Sequence, residues 1–368
     1  MTKLMDEKKG GSGILEEEED VNEVYTERMS TNESEPTDQE LAIEVKDVRT
    51  NVKGFSVLTW NVWFGDMHES SEAFERRCQL IVESLGTTSP DIIALQEVTP
   101  TCLSILLESE WLKTGYDVSR RSINTYGVLI LTRKELKASF TTIQLPTKMG
   151  RDLHIAKCNI GGRWVVVGCV HLESLNNPAK RKQQLRICKT SLDRFSECKD
   201  SILVGDFNFC SYRNYNPEIT PLENNMLGQV MLGFVDVWPA LNKDSKGFTF
   251  DSECNTNVDR YERMRYDRVM ARTLTLKPTT IKRYGTHVVR LKTKPEPKRG
   301  KIKRGPGCYI RQLSILRGSK RHLSDHFGLL ATFAPLQHGE RPMPAMLEGT
   351  SQEKQVSVCR VLGGCSIT

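Results

Sequence analysis

Ile92-Ile-Ala-Leu95-Gln96-Glu97 is the stretch that decides how this chain folds: four apolar residues run straight into a carboxamide and a carboxylate. A short apolar run bounded by polar residues reads as a buried strand, and a carboxylate at its end stands where side chains leave a sheet. Upstream, Ala73, Cys78, Ile81, Val82 and Leu85 recur at helical spacing and lead through Ser89-Pro90 into the run, so a helix feeds this strand. Before that helix, Phe55-Ser-Val-Leu-Thr-Trp60 alternates as another strand and ends at Asn61. Downstream, Gly127 to Thr132, Ile155 to Asn159, Trp164 to His171 and Ser201 to Val204 repeat the strand pattern, and Ala179 to Phe195 predicts an amphipathic basic helix. Some neighbouring strands have a helix between them and others only a hairpin such as Ile160-Gly-Gly-Arg163. That mixture predicts packed, mixed sheets covered by helices, a layered α/β or α+β domain, rather than a purely parallel barrel.

The 368 residues have room for one large domain with tails. Residues 1–53, acidic from Glu16 to Asp20 and lacking apolar periodicity, are expected to be a disordered tail. The ordered domain is expected over 54–334, and 335–368, with Pro335, Pro342 and Pro344 among polar residues, as a flexible tail. No apolar run reaches the roughly 18 residues of a membrane-spanning helix, and the start lacks the basic and apolar stretches of a secretory signal. A nuclear or cytosolic protein is therefore expected, most simply a monomer. The 11 cysteines are scattered without paired C-x-x-C spacing, which argues against a zinc site and a disulfide framework.

The net charge of +6 hides an asymmetry. Residues 1–50 hold 6 Lys and Arg against 15 Asp and Glu, a net −9, so the remainder carries +15. Nearly all of that sits in 277–322, where 15 bases accompany one acid, Glu296. The densest part is a basic insert at about 286–306. Such a segment raises the local concentration of a polyanion, nucleic acid or an anionic membrane surface, unless it is merely a solvated loop.

Four polar clusters stand at the ends of apolar strands: Thr59-Trp-Asn61, Leu95-Gln-Glu97, Gly205-Asp206-Phe-Asn208 and Ser324-Asp325-His326. Any one of them reads most simply as a turn or a cap. Together they supply carboxylates for a hard metal, two amides and an imidazole, the groups that activate water against a phosphodiester.

In this order the four clusters resemble the endonuclease/exonuclease/phosphatase superfamily. Val170-His171-Leu-Glu-Ser174 and Arg265-Tyr-Asp267-Arg268 supply two further matching elements, and the likeness runs from about Phe55 to Ala334. The resemblance implies a four-layer sandwich, two β-sheets face to face with helices outside. It implies Mg²⁺, with Mn²⁺ as a substitute, held mainly by Glu97, with Asn61 orienting it or contacting the phosphate; Asp325 is either a metal neighbour or a turn residue. Asp206 is expected to position and deprotonate water, and Asn208 and His171 to donate to phosphate oxygens. His326 is expected to carry charge toward the developing oxyanion, held in its tautomer by Asp267.

More distinctive stretches are Pro146-Thr-Lys-Met-Gly-Arg151-Asp-Leu, Phe234-Val-Asp236-Val-Trp238 and Phe248-Thr249-Phe250-Asp251-Ser252 followed by Asn255. They resemble the members of the superfamily that remove a topoisomerase tyrosine from a DNA 5′ end. That likeness implies a substrate-binding set of Arg151 on the DNA path, Tyr126 and Ser174 in the site, and Phe250 in the wall that guides the strand end. The implied partners are DNA 5′ ends, single-stranded or carrying a tyrosyl adduct, and the implied role is repair of DNA damage. Phe209-Cys210 departs from the Leu-Arg that often follows Asn208 in this group, with Arg213 the nearest cation in sequence.

Two other enzymes of the fold remain as alternatives, an apurinic-type endonuclease and a sphingomyelin-type lipid phosphodiesterase. The lipid alternative draws on Cys365-Ser-Ile-Thr368, which has the loose form of a prenylation box with Cys359 upstream for acylation. Ser in an aliphatic place and Thr last argue instead for an ordinary tail. A binding protein without catalysis would not need Asn61, Glu97, Asp206, Asn208 and His326 all intact.

Overall fold

The computed structural model describes residues 54–65, 69–290 and 320–343. The acidic N-terminal segment, nearly all of the basic insert and the tail with Cys359 and Cys365 lie outside the described residues.

Two six-stranded sheets carry the fold. The first contains β1 (Phe55–Asn61), β2 (Ile92–Val98), β3 (Tyr116–Val118), β4 (Gly127–Arg133), β13 (Leu276–Tyr284) and β16 (Gly328–Pro335), in the order β13-β16-β1-β2-β4-β3. The second contains β5 (Ser139–Gln144), β6 (Asp152–Ile160), β7 (Arg163–His171), β8 (Asp200–Asp206), β9 (Val235–Asp236) and β12 (Asp267–Arg272), in the order β5-β6-β7-β8-β12-β9. Two-stranded ribbons pair β10 (Phe250–Asp251) with β11 (Arg263–Met264) and β14 (Val289–Arg290) with β15 (Lys320–Arg321). Both sheets are mixed: β1 runs parallel to β2 but antiparallel to β16, and β8 parallel to β7 but antiparallel to β12.

Period-2 alternation sorts each strand between two cores. Val57, Ile92, Ala94, Ile130 and Ala331 of the first sheet meet Val165, Val167, Ile202, Val204 and Val269 of the second in an inter-sheet core. The intervening residues Leu58, Trp60, Ile93 and Leu95 face outward onto α1 (Ser71–Thr88) and α2 (Pro100–Glu108), against Ile81, Leu85, Leu103 and Leu106. On the far side Leu153, Val166, Val170 and Leu203 receive Leu185, Cys188 and Leu192 of α4 (Pro178–Asp193), α3 being the short Glu110–Gly115. The result is helix, sheet, sheet, helix, the four layers that the resemblance implies. Truncating a fully buried Val167 or Ile92 to Ala would leave a cavity costing about 2–4 kcal/mol.

Local signals hold the outer layers in place. Ser70 Oγ caps α1 by accepting from Ala73 N–H, and Thr99 Oγ1 caps α2 ahead of Pro100 at its first position. The basic helix expected at 179–195 begins and ends slightly earlier, at Pro178 and Asp193, because Pro178 suits a first helical position. Ile160 to Arg163 is the hairpin between β6 and β7, as expected.

Candidate active site

The inter-sheet core does not stay apolar to its end. Along β1 the inner face reads Phe55, Val57, Thr59, Asn61; along β7 it reads Val165, Val167, Cys169, His171; along β8, Ile202, Val204, Asp206; and along β12, Ala271, Val269, Asp267. Each strand therefore delivers its last inner side chain to one edge of the sandwich. Register aligns them, with Asp206 opposite both His171 and Asp267. Gly205 permits that approach: its φ is +139°, and a Cβ there would lie 1.9 Å from the Val170 carbonyl oxygen.

Glu97 reaches the cluster differently. A register shift between Leu95 and Val98 breaks the β2 ladder, and Glu97 takes φ +61°. Asn208 also sits at φ +55°. Left-handed backbone at two non-glycine residues of one site is local strain of order 1–3 kcal/mol each, held by the surrounding bonds. Phe64 N–H donates to Glu97 Oε2 (2.9 Å), and Asn208 N–H to Asp206 Oδ1 (2.8 Å).

At the centre, His326 Nδ1 bonds Asp267 Oδ2 at 2.8 Å, and its Nε2 lies 3.9 Å from Asp206 Oδ2. His171 Nε2 lies 3.5 Å from Asp206 Oδ2 and 3.9 Å from Glu97 Oε1. Asn61 Nδ2 donates to Asp206 Oδ2 (3.1 Å) while its side-chain Oδ1 accepts from Trp63 N–H (3.0 Å). As placed here, Asn61 orients carboxylates, and Asn208 spends its amide nitrogen on the Leu172 carbonyl (3.0 Å). Ser324 Oγ donates to the Asn61 backbone carbonyl (2.6 Å) and accepts from His326 N–H, tying the end of β1 to the loop that enters β16.

Electrostatics separates the two histidines. Burial and then the Arg151 guanidinium push His171 down to about 3, so it is neutral. Its Nδ1 faces Arg151 Nη1 at 3.0 Å and must accept, which puts the proton on Nε2, aimed between Asp206 and Glu97. For His326 burial opposes charge, yet Asp267, Asp206 and Asp325 outweigh it and hold the imidazole well above its ordinary range. Burial also opposes the charge of Asp206, but the charged His326, helped by the Asn208 N–H and Asn61 amide bonds, pulls it below the usual carboxylate range. Burial and the neighbouring Asp325 push Glu97 up to about 7, and burial raises Asp325 as well.

Two raised, partly buried, oxygen-donating carboxyls beside each other suit a hard divalent cation. Asp206, Asp267 and His326 also bring ligand atoms within 4.8 Å of one another. In that trio His326 Nδ1 is already bonded to Asp267, which leaves Glu97 and Asp325 as the other oxygen donors open to a hard divalent cation.

At the rim, Arg151 Nη2 donates to Ser174 Oγ (2.9 Å) and its guanidinium lies 5.5 Å from the Tyr126 ring. Phe250 packs edge-on against His326 at 5.2 Å. The expected set Arg151, Ser174, Tyr126 and Phe250 is thus assembled around the cluster. Arg213 instead approaches Met264 Sδ and Glu262.

Sequence reasoning did not single out three supports. Phe64, half exposed, stacks on Tyr126 at 5.2 Å. Tyr266 lies 6.0 Å from His326 and 5.8 Å from Phe250. Arg77, fully buried on α1, donates from Nη1 to the Val62, Trp63 and Leu323 carbonyls, clamping the loops that follow Asn61 and precede Asp325. Arg77 had a signal, a charge among the apolar positions of its helix; Tyr266 lay within Arg265-Tyr-Asp267-Arg268 without a role of its own, and Phe64 had none.

A four-layer sandwich with paired acids and histidines at one edge defines a class, and residues 58–326 match the model of the endonuclease/exonuclease/phosphatase family. The chain belongs to that family and is a phosphodiesterase-type hydrolase. It is 27% identical over 270 residues to tyrosyl-DNA phosphodiesterase 2 of Homo sapiens, covering 71% of this chain and 70% of that protein. The Gallus gallus protein of the same name is 29% identical over 227 residues, which cover 59% of this chain and 56% of that one. Among solved structures, Danio rerio TDP2 complexed with single strand DNA product matches with a TM-score of 0.57 at 24% identity, over 76% of this chain and 98% of that one. A mannosyl-6-phosphatase from Bacteroides thetaiotaomicron matches at 0.53 and 15% identity over 76% and 99%. At these identities both structures speak for the fold alone.

Proposed function

We propose that this protein hydrolyses the 5′-phosphotyrosyl bond that joins a protein tyrosine to a DNA end, with Mg²⁺ held by Glu97 and Asp325, and so removes topoisomerase adducts in DNA repair. The observation that carries the reading is the contact of Arg151 with His171 on one side and Tyr126 on the other. A cation shared between a phosphate-facing imidazole and an aromatic ring suits a substrate that is both anionic and aromatic. The named relatives point the same way.

Asp206, ionised at neutral pH, accepts the proton of the attacking water. His171 donates through Nε2 to a phosphate oxygen. His326, charged and oriented by Asp267, offers its Nε2 proton to the oxyanion as negative charge grows. Bound Mg²⁺ would supply Lewis-acid polarisation of a phosphoryl oxygen. Tyr126 and Phe250 give the strand end and the tyrosyl ring aromatic faces, each stack contributing roughly 1–3 kcal/mol.

Offering the purified protein a 5′-phosphotyrosyl oligonucleotide, an abasic duplex and sphingomyelin in parallel tests the assignment. Turnover of the first at least about a hundredfold faster than the others is expected. Preference for either of the others overturns it.

A further inference from the structure

The loop that leaves the catalytic Asp206 and Asn208 does not return directly to the sheet. Through residues 211–226 it arches over the start of α4, and between loop and helix lies a cavity of about 250 Å³. That is the space of roughly eight waters, enough for a one- or two-ring heterocycle. Its lining combines Tyr215 and Ile219 with the carboxamides of Asn176, Asn225 and Gln229 and the ammonium of Lys182.

Three features argue that this cavity is a built site. Tyr215 is 54% and Ile219 44% exposed, an aromatic and a branched aliphatic side chain held in solvent on one loop. The loop is fixed from beneath by buried polar groups: Arg181 makes a two-pronged ion pair with Glu223, both bonds 2.7 Å. Asn214 donates to the Ile219 and Pro221 carbonyls and accepts from Glu223 N–H. The cavity also lies a short way along the chain from the active site, since its lining residue Asn176 follows Ser174 by two residues, at most about 7 Å of chain, and Ser174 carries the Arg151 bond.

We propose that this cavity binds a nucleobase of the DNA strand, one or two nucleotides from the scissile phosphate. An uncharged heteroaromatic ring matches the lining better than any other part of that strand. Tyr215 and Ile219 offer it flat apolar contact. Asn176 and Asn225 present donors and acceptors able to meet a base edge. Lys182 answers the adjoining phosphate. The inference rests on the proposed DNA substrate and adds a subsite for the strand.

Single-strand oligonucleotides with a 5′-phosphotyrosine, each carrying one abasic spacer at the first, second, third or sixth nucleotide, separate the outcomes. The wild type should lose about tenfold in kcat/KM when the spacer replaces the first or second base, and little at the sixth. Tyr215→Ala should show no such loss, Ile219→Ser a reduced one, and Tyr215→Phe the wild-type pattern. Turnover of bis(p-nitrophenyl) phosphate, which has no base, should be equal in all four proteins and shows that the loop variants are intact.

Equal spacer sensitivity in Tyr215→Ala and wild type overturns the subsite. So does a Tyr215→Ala defect that depends on lengthening the tyrosine into a peptide, which would assign the cavity to the protein side of the adduct. Equilibrium binding of the same series with a plain 5′-phosphate, read by fluorescence anisotropy, keeps this test apart from the parent assignment. Tyr215-dependent preference for a base in a protein that does not cleave phosphotyrosyl DNA supports the cavity and refutes the substrate.

Discussion

Asp267 and Arg268 are neighbours on β12, yet they face opposite sides of one sheet and anchor two buried ionic clusters of opposite design. On the outer side Arg268 and Arg265 converge on Asp236, with bonds of 2.6 to 2.9 Å, and Arg268 also reaches Ser211 Oγ and the Phe209 carbonyl. Burial opposes the charge of Asp236, but the two guanidiniums hold it below the usual carboxylate range. This cluster pins the segment after Asn208 through bonds the protein itself supplies, two cations on one anion, with Arg265 Nε and Arg268 Nε left without a hydrogen-bond partner among the described residues. On the inner side the carboxyls of Asp206, Asp267, Glu97 and Asp325 surround one protonated imidazole, His326, and a neutral His171. That cluster has too much negative charge to be satisfied by the protein alone. Similar burial thus serves architecture on one face, and on the other leaves an affinity for a cation.

The sharpest way to break the comparison is Glu97→Gln. Turnover should fall by about a thousandfold or more, since a metal-ligand charge is worth several kcal/mol. The melting temperature of the metal-free protein should rise, because an opposed buried charge is gone. Retention of more than about a tenth of the activity by the folded variant contradicts the role.

Asp236→Asn should do the reverse. Two guanidiniums left unpaired cost about 3–5 kcal/mol of stability in urea titration, while the pH–rate profile of the folded fraction keeps its wild-type shape. A neutral effect on stability would make the outer cluster dispensable.

Within the inner cluster, His326→Ala and Asp267→Asn should each lower kcat by about 10–100-fold and should not multiply in the double variant, as one residue orients the other. A double loss equal to the product of the single losses separates the pair. The smallest effect concerns the basic insert. Neutralising Lys298, Arg299, Lys301, Lys303 and Arg304 should raise KM, leave kcat nearly unchanged and flatten the salt dependence by up to about one unit of slope per lost phosphate contact. An unchanged salt slope on DNA, with loss of pelleting on anionic vesicles, would assign the segment to a membrane surface.

The inner cluster was legible in the sequence and the outer one was not, for a physical reason. Asn61, His171 and Asp206 end strands whose apolar alternation is visible over several residues, so their shared edge follows from period and register. Asp236 lies on a two-residue strand, and its partners Arg265 and Arg268 stand 29 and 32 residues further on, with no local pattern joining them. The ribbon β10–β11, which carries Phe250 to His326, is likewise too short to show a period. Glu97 was recognisable as a strand-end acid, but its inward turn depends on a break in pairing with β4 that composition does not announce. Phe64 and Tyr266 matter through contacts across the fold, which alternation along one strand cannot report.

The claim that the inner cluster is built for a cation can be tested apart from turnover. Burial and Asp325 hold the Glu97 carboxyl near 7. Without metal, folding stability should therefore fall as pH rises from about 4.5 to 7, where the unfolded chain ionises while the fold keeps its proton. Mg²⁺ must displace that proton. Isothermal titration of Mg²⁺ at pH 6.5 in two buffers of different ionisation enthalpy should show release of a large fraction of one proton from the wild type, declining toward none at pH 8.5. Weaker binding without proton release is expected in Glu97→Gln. Equal affinity and equal proton release in the two proteins would contradict the account.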